Sequence, residues 1–222
     1  MFTTQEATLA AASSYIVTFA MKLRKRSARP GRPRAFDEDV ALGKAMHVFW
    51  RKGYDATSIS DLTEAMGINP PSLYAAFGNK ESLFVRVLER YGEGPASYVM
   101  QALSAPTARE VAEQRLYGAV DAMCDSTRPL GCLAVQAAAR CGDATSSVGR
   151  KLIAFCDGSH RAFTERFKRA KAEGDLPKDA DPAALARYIS TVAQGISIQA
   201  ASGASRAELR RVVEMALRQW PK

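Results

Sequence analysis

Apolar positions in this chain recur at the three-to-four-residue spacing of helices, and no stretch sustains the alternation of a strand. Asp37 is placed to cap a first helix over about 38–52, with Val40, Leu42, Ala45, Met46, Phe49 and Trp50 on its apolar face and Gly53 at its end. Thr57 is the expected cap of a short helix over about 58–66, with Ile59, Leu62 and Met66 inward and Gly67 as its stop. Asn69 caps a third, whose first turn holds Pro70 and Pro71, where prolines cost little. Leu73 and Phe77 face its core side. Gly78-Asn79 breaks the chain, and a fourth helix follows through Leu83, Phe84, Val87 and Leu88. Beyond the break at residues 92–95, helical pattern continues to about 103. It returns at about 107–124, 132–140, 146–173, 182–202 and 205–219, divided by Gly142, Gly174, Pro177 and Gly203. The prediction is an all-α protein.

The second and third helices carry the first chemical signal. Two helices of about eight residues joined by Gly67-Ile68-Asn69 form a tight corner, the geometry of a helix-turn-helix. The third helix then offers Asn69, Pro70, Ser72, Tyr74 and Ala75 outward, where a major groove would meet them. Proline and alanine can touch a thymine methyl, and asparagine can read adenine or meet a phosphate. Tyr74 and Lys80 flank the turn as phosphate ligands. A purely structural helical corner is the alternative reading.

Charge sharpens this picture. The net charge is +8, and six of those eight charges fall in residues 1–34, where seven cations meet only Glu6. Residues 29–34 (RPGRPR) hold two prolines and a glycine, so this basic arm runs extended, with Arg32 and Arg34 nearest the first helix. Residues 37–80 carry four cations against six anions, so long-range attraction to a polyanion falls to the arm. The apolar run within residues 7–21 is too short and too polar to span a bilayer, and its cations follow rather than precede it, unlike a secretory signal. Met21 is the expected natural start, with residues 1–20 an extension. No membrane association is expected.

The stretch Phe36–Leu83 resembles the DNA-binding domain of the tetracycline-repressor (TetR) family. The likeness rests on G-Y-x-x-T-S-I-x-D-L from Gly53, then G-I at Gly67, then S-L-Y-x-x-F-x-x-K-x-x-L from Ser72. The resemblance implies a regulator of transcription, expected to be a repressor released from a pseudo-palindromic operator in double-stranded DNA by a small-molecule effector. It implies phosphate contacts for Tyr74, Lys80, Thr57, Ser58 and Ser72, and base contacts for Ser60, Asn69, Pro70, Pro71 and Ala75. It divides the chain into a flexible basic arm (1–34), an N-terminal three-helix helix-turn-helix domain (35–82) and a helical effector-binding and dimerisation domain (83–222). It also implies a pocket among the middle helices, for which Tyr91, Met100, Tyr117, Met123, Val135, Gln136, Phe155, His160, Phe163 and Gln194 are the candidates. That lining suits an apolar or aromatic effector.

The last two helices read as a homodimer surface, because residues 188–202 contain no ionic side chain and need a partner. Tyr188, Val192, Gly195, Ile196, Gln199, Leu209, Val213 and Trp220 are the expected contacts. The four cysteines, Cys124, Cys132, Cys141 and Cys156, show no C-x-x-C spacing and read as reduced thiols of a cytoplasmic protein. Cys156 and His160 share a helix face at i, i+4, a spacing open to a soft metal, yet free cysteine ordinarily acts as a small core hydrophobe. No metal, cofactor or catalytic residue is expected. An activator, a redox- or metal-sensing DNA-binding protein and a helical enzyme are the rival readings.

Overall fold

The computed structural model describes residues 36–221. Ten α-helices and one 3₁₀ turn make up the regular structure of the described residues. They are α1 (Glu38–Lys52), α2 (Ile59–Met66), α3 (Pro70–Phe77), α4 (Lys80–Glu93), α5 (Tyr98–Gln101), the 3₁₀ turn Ala102–Ser104, α6 (Ala108–Met123), α7 (Leu133–Ala139), α8 (Ser147–Ala172), α9 (Pro182–Ala201) and α10 (Arg206–Arg218). No helix among them is long and apolar enough to cross a membrane.

Short helices survive here because side chains close their ends. Isolated helices of eight residues are unstable, and each open amino end leaves backbone donors unsatisfied. Asp37 Oδ1 accepts from the Asp39 and Val40 amides at 2.8 and 3.2 Å. Asn69 Oδ1 accepts from Ser72 N at 2.9 Å, and Asn79 Oδ1 from Ser82 N at 2.7 Å. The cap of α2 is Ser58, not Thr57. Ser58 and Asp61 form a reciprocal capping box, at 3.0 Å (Asp61 N to Ser58 Oγ) and 2.9 Å (Ser58 N to Asp61 Oδ2). Thr57 turns inward instead, 1% exposed, and its hydroxyl donates to the Gly53 carbonyl at 2.6 Å. In α1 the inward stripe is Ala41, Leu42, Ala45, Met46, Phe49 and Trp50. Val40 lies off that stripe and is 54% exposed, since it is one helical step, about 100°, out of phase.

Two apolar cores result. The first joins α1–α4 around Phe49, Leu62, Leu73 and Phe84, and it does not stop at residue 82. Leu133, Ala134 and Ala137 of α7 and Val148 and Leu152 of α8 belong to it. The second lies around α6, between α9, α10 and the end of α8, with Leu116, Phe163, Phe167, Ile189, Ile196 and Trp220 inside.

Candidate nucleic-acid interface and effector cavity

The outer surface of α2 and α3 is polar, small and accessible. Ser58, Ser60, Asn69, Pro70, Pro71 and Ala75 are exposed, Ser72 is half-buried, and Tyr74 stands 49% exposed. Capping shapes what two of these groups can offer. Ser58 Oγ accepts the Asp61 amide and its hydroxyl also meets the Asp61 carboxylate, so Ser58 is engaged in the cap. The Asn69 carbonyl holds the Ser72 amide, which leaves the Nδ2 group as a free donor.

Lys80 is the first residue of α4, where a cation opposes the helix dipole. Its Nζ sits 4.4 Å from the Tyr54 ring centroid. Burial lowers its pKa, and the carboxylates of Asp55 and Asp61 partly restore it. Lys80 follows the end of α3 by three residues and packs against the turn before α2. Three ion pairs tie charges of the head to one another and to α4. Lys52 meets Asp61 at 2.7 Å, Arg86 meets Glu38 at 3.3 Å and Arg90 meets Asp39 at 2.5 Å.

Head and body are clasped at the turn before α2. Arg140 Nη1 donates to the Arg51 carbonyl at 2.8 Å, and Gly142 N donates to Asp55 Oδ2 at 3.0 Å. Lys151 and Ser147 of α8 both donate to Glu81 of α4.

Behind the clasp is a cavity of about 120 Å³ enclosed by α4, α5, α6, α7, α8 and α9. Tyr91 forms one wall. Its hydroxyl donates to Cys132 Sγ at 3.2 Å, and its ring meets Trp50 of α1 edge-on at 5.1 Å. Gly131 sets Cys132 in place. Its φ is +81°, and a side chain there would come within 2.8 Å of the Ser197 carbonyl on α9. Cys132 N then donates to Ser197 Oγ at 2.8 Å. Burial pushes the Cys156 thiol up to about 11, with the neighbouring Cys132 adding to the effect. Among the described residues, no three of His, Cys, Asp and Glu converge as metal ligands.

Comparison with known proteins places this architecture. Residues 41–87 match the family model of bacterial regulatory proteins, tetR family, and residues 112–220 match that of the tetracyclin repressor-like C-terminal domain. The HTH-type transcriptional repressor ComR of Escherichia coli (strain K12) is 35% identical over 195 residues, covering 86% of this chain and 92% of ComR. The chain belongs to the tetR family. The repressor BdcR of the same organism is 52% identical over 71 residues, 32% of this chain and 36% of BdcR. Among solved structures, a cysteine mutant of the TetR family transcriptional regulator CifR, complexed with 26-bp double-strand operator DNA, superposes with a TM-score of 0.80. It shares 46% identity, over 86% of this chain and all of that one. The protein is a DNA-binding transcriptional regulator of this family.

Within that family frame, the geometry sorts the expected residues. Tyr91, Met100, Met123, Val135, Phe155, His160 and Gln194 line the cavity together. Three candidates do not. Tyr117 lies on another face of α6, beneath the Arg210 guanidinium at 4.9 Å. Phe163 is fully buried one turn past His160, packed on Phe167 at 6.2 Å between centroids. Gln136 is held away by its bond to the Leu130 carbonyl at 2.7 Å. Tyr98, Arg115 and Arg187 also line the cavity, and the sequence reading missed them. Tyr98 follows a Gly-Pro break and the arginines look like solvated helix charges, so no spacing signal could have found them.

The expected dimer residues divide in the same way. Tyr188, Gly195 and Gln199 are exposed on the outer side of α9, and Val192 is half-buried against the second core. Ile196, Leu209, Val213 and Trp220 are each at most 4% exposed within the single chain, so they face its own core. The reason is phase: Ile189, Ala193, Ile196 and Ala200 form the inward stripe of α9. The outward apolar side chains are instead Tyr188, Ile198, Val212 and Met215. Arg32 and Arg34, with the whole arm, lie outside the described residues.

Proposed function

We propose that the protein is a homodimeric cytoplasmic repressor, acting by binding rather than catalysis, that holds a pseudo-palindromic operator with paired α3 helices and releases it when a small molecule occupies the cavity. The observation that carries this reading is α4. Its first residue is Lys80, three residues past the end of α3, and its twelfth is Tyr91, a wall of the cavity. A helix transmits position rigidly over the roughly 16 Å between them. A ligand that binds better when Tyr91 is displaced favours a different α4 pose, and with it a head spacing that no longer fits two half-sites. Tyr91 also touches Trp50, so α1 receives the same shift.

Two chains are needed for this to work. The outward side of α9 and α10 supplies a surface: Ile198 is 53% exposed, Val212 46% and Met215 65%. Packed against a second copy, the two helices from each chain make a four-helix contact. The relatives support the repressor sign, since ComR and BdcR are repressors by name. The basic arm adds phosphate contacts that carry no sequence information, so its deletion lowers affinity for operator and random DNA alike.

The test is titration of the protein against the DNA upstream of its own gene, read by fluorescence anisotropy across a salt series. Tyr74→Phe and Lys80→Ala each weaken binding without changing the far-ultraviolet spectrum. Lys80→Ala also reduces the salt slope by about one released counterion. Wild-type affinity in the combined variant would remove both residues from the interface.

A further inference from the structure

The cavity is lined by two guanidinium groups and one carboxylate. Arg115 comes from α6, Arg187 from α9 and Asp157 from α8. Neither arginine makes a salt bridge among the described residues. Arg115 is half-buried, lies 5.5 Å from the Tyr98 ring centroid and 6.0 Å from that of Phe163, and reaches only the Tyr98 hydroxyl, at 3.4 Å. Arg166, the body's buried arginine, makes no ion pair among these residues either, but its Nη2 donates to the Ala105 and Pro106 carbonyls, each at 2.9 Å. A guanidinium stacked in an aromatic corner without a counter-ion contributes little to folding that an apolar side chain would not supply better. It is well placed to pair with an anion that arrives.

His160 belongs to the same wall. Its Nδ1 is buried and has no hydrogen-bond partner in the protein. Burial lowers its pKa, and the Arg187 charge lowers it further, against the opposing pull of Asp157 and the Ala186 carbonyl. A negative group brought between Arg187 and His160 would relieve both effects.

We infer that the cavity takes a small organic monocarboxylate with an apolar body, its carboxylate held by Arg115 and Arg187 beside His160 and its body by Met100, Met123 and Phe155. One net positive charge among the lining residues matches one negative charge on the ligand. The volume sets the size. At about 120 Å³ the cavity is near the roughly 150 Å³ that accommodates benzene in an apolar core, so the ligand is of benzoate or short fatty-acid size. Other classes fit less well. A cationic ligand would face two arginines. For a metal, no three of His, Cys, Asp and Glu converge among the described residues.

This assignment rests on reading the cavity as the effector site, so the experiment separates binding from release. Calorimetry on the full chain without DNA compares benzoate and hexanoate with benzamide, the neutral analogue of benzoate. Benzoate and hexanoate should bind, and benzamide should bind at least about tenfold more weakly, the value of a charge-assisted hydrogen bond. Arg115→Gln and, separately, the more exposed Arg187→Gln should bring the benzoate-to-benzamide ratio toward one. A loss of fold would weaken both ligands together, so the ratio reports the charge contact itself. Equal binding of benzoate and benzamide by wild type, unchanged ratios in both variants, or no binding of either acid up to about 10 mM would overturn the assignment. Carboxylate binding that leaves the operator complex intact keeps the ligand class and defeats the effector reading. Operator release by benzamide, without preference for the acids, does the reverse.

Discussion

The DNA-facing head and the cavity-bearing body are built by opposite means. In the head, the exposed residues of α2 and α3 are fixed by bonds within their own helix ends: Ser58 with Asp61, Asn69 with the Ser72 amide. In the body, each wall of the cavity comes from a different helix, and its polar groups are held across long stretches of chain, as Cys132 is by Ser197 and Tyr91. A surface made by local bonds depends less on the packing of the body. A cavity made by packing among six helices changes shape whenever one of them moves. The division suits a regulator, in which a rigid reader is repositioned rather than remodelled.

The comparison breaks most severely on α9, where neighbouring isoleucines face opposite ways. Ile196 is 2% exposed in the second core and Ile198 is 53% exposed on the outer side. Ile196→Glu places an unpaired charge in that core and should cost several kcal/mol, enough to abolish the cooperative thermal transition or lower it sharply. Ile198→Glu should leave the melting temperature of the protomer fold nearly unchanged, halve the sedimenting mass at micromolar concentration and weaken operator binding by about 10²-fold or more, the contribution of linked half-sites. An Ile198→Glu protein that remains dimeric would move the interface off this surface.

How far the sequence disclosed each region follows from the same difference. The caps Asp37, Asn69 and Asn79 and the stops Gly53, Gly67 and Gly78 are local signals, and α1 to α4 begin and end within a residue or two of the expected positions. Thr57 misled because threonine and serine at adjacent positions both satisfy the cap preference, and only the packed turn decides which one is buried. In the body, helix positions were equally legible, yet side-chain facing was not. Tyr117 and Met123 lie on one helix, and only Met123 reaches the cavity. Ile196 was legible as apolar but not as inward, because a helix apolar on both sides gives no phase. Arg115 and Arg187 gained meaning only when α6 and α9 were brought together.

The junction offers a gentler test of whether the head is repositioned as a unit. Arg140 holds the carboxyl end of α1, and Asp55 holds the loop between α7 and α8. Arg140→Ala removes one bond from a guanidinium to a helix end and should lower stability by about 1 kcal/mol. Its larger effect should fall on the coupling. If α7 carries cavity changes to the head alongside α4, the ligand-induced drop in operator affinity should shrink by about fivefold, within the usual range of coupling energies. Ligand affinity of the free protein should change much less. Anisotropy titrations with and without ligand measure this, and an undiminished drop would leave α4 as the sole connection.

The smallest effect concerns the local bonds of the head themselves. Lys52 donates to the Asp61 carboxylate at 2.7 Å, and the Ser58 amide and hydroxyl add to this, so that its pKa falls to about 2. A carboxyl group depressed in the folded chain stabilises fully above its unfolded value of about 3.9 and loses that contribution as pH falls through the folded value. Asp61→Asn should therefore melt below wild type at pH 7, and the gap should close as pH falls from about 5 toward 2. The effect stays small because the ion pair is solvent-accessible and screened. Added salt should narrow the gap at pH 7, while the part due to the Ser58 amide persists. A gap that keeps its size down to pH 2 would mean that Asp61 contributes through shape alone, and that the cap of α2 does not depend on its charge.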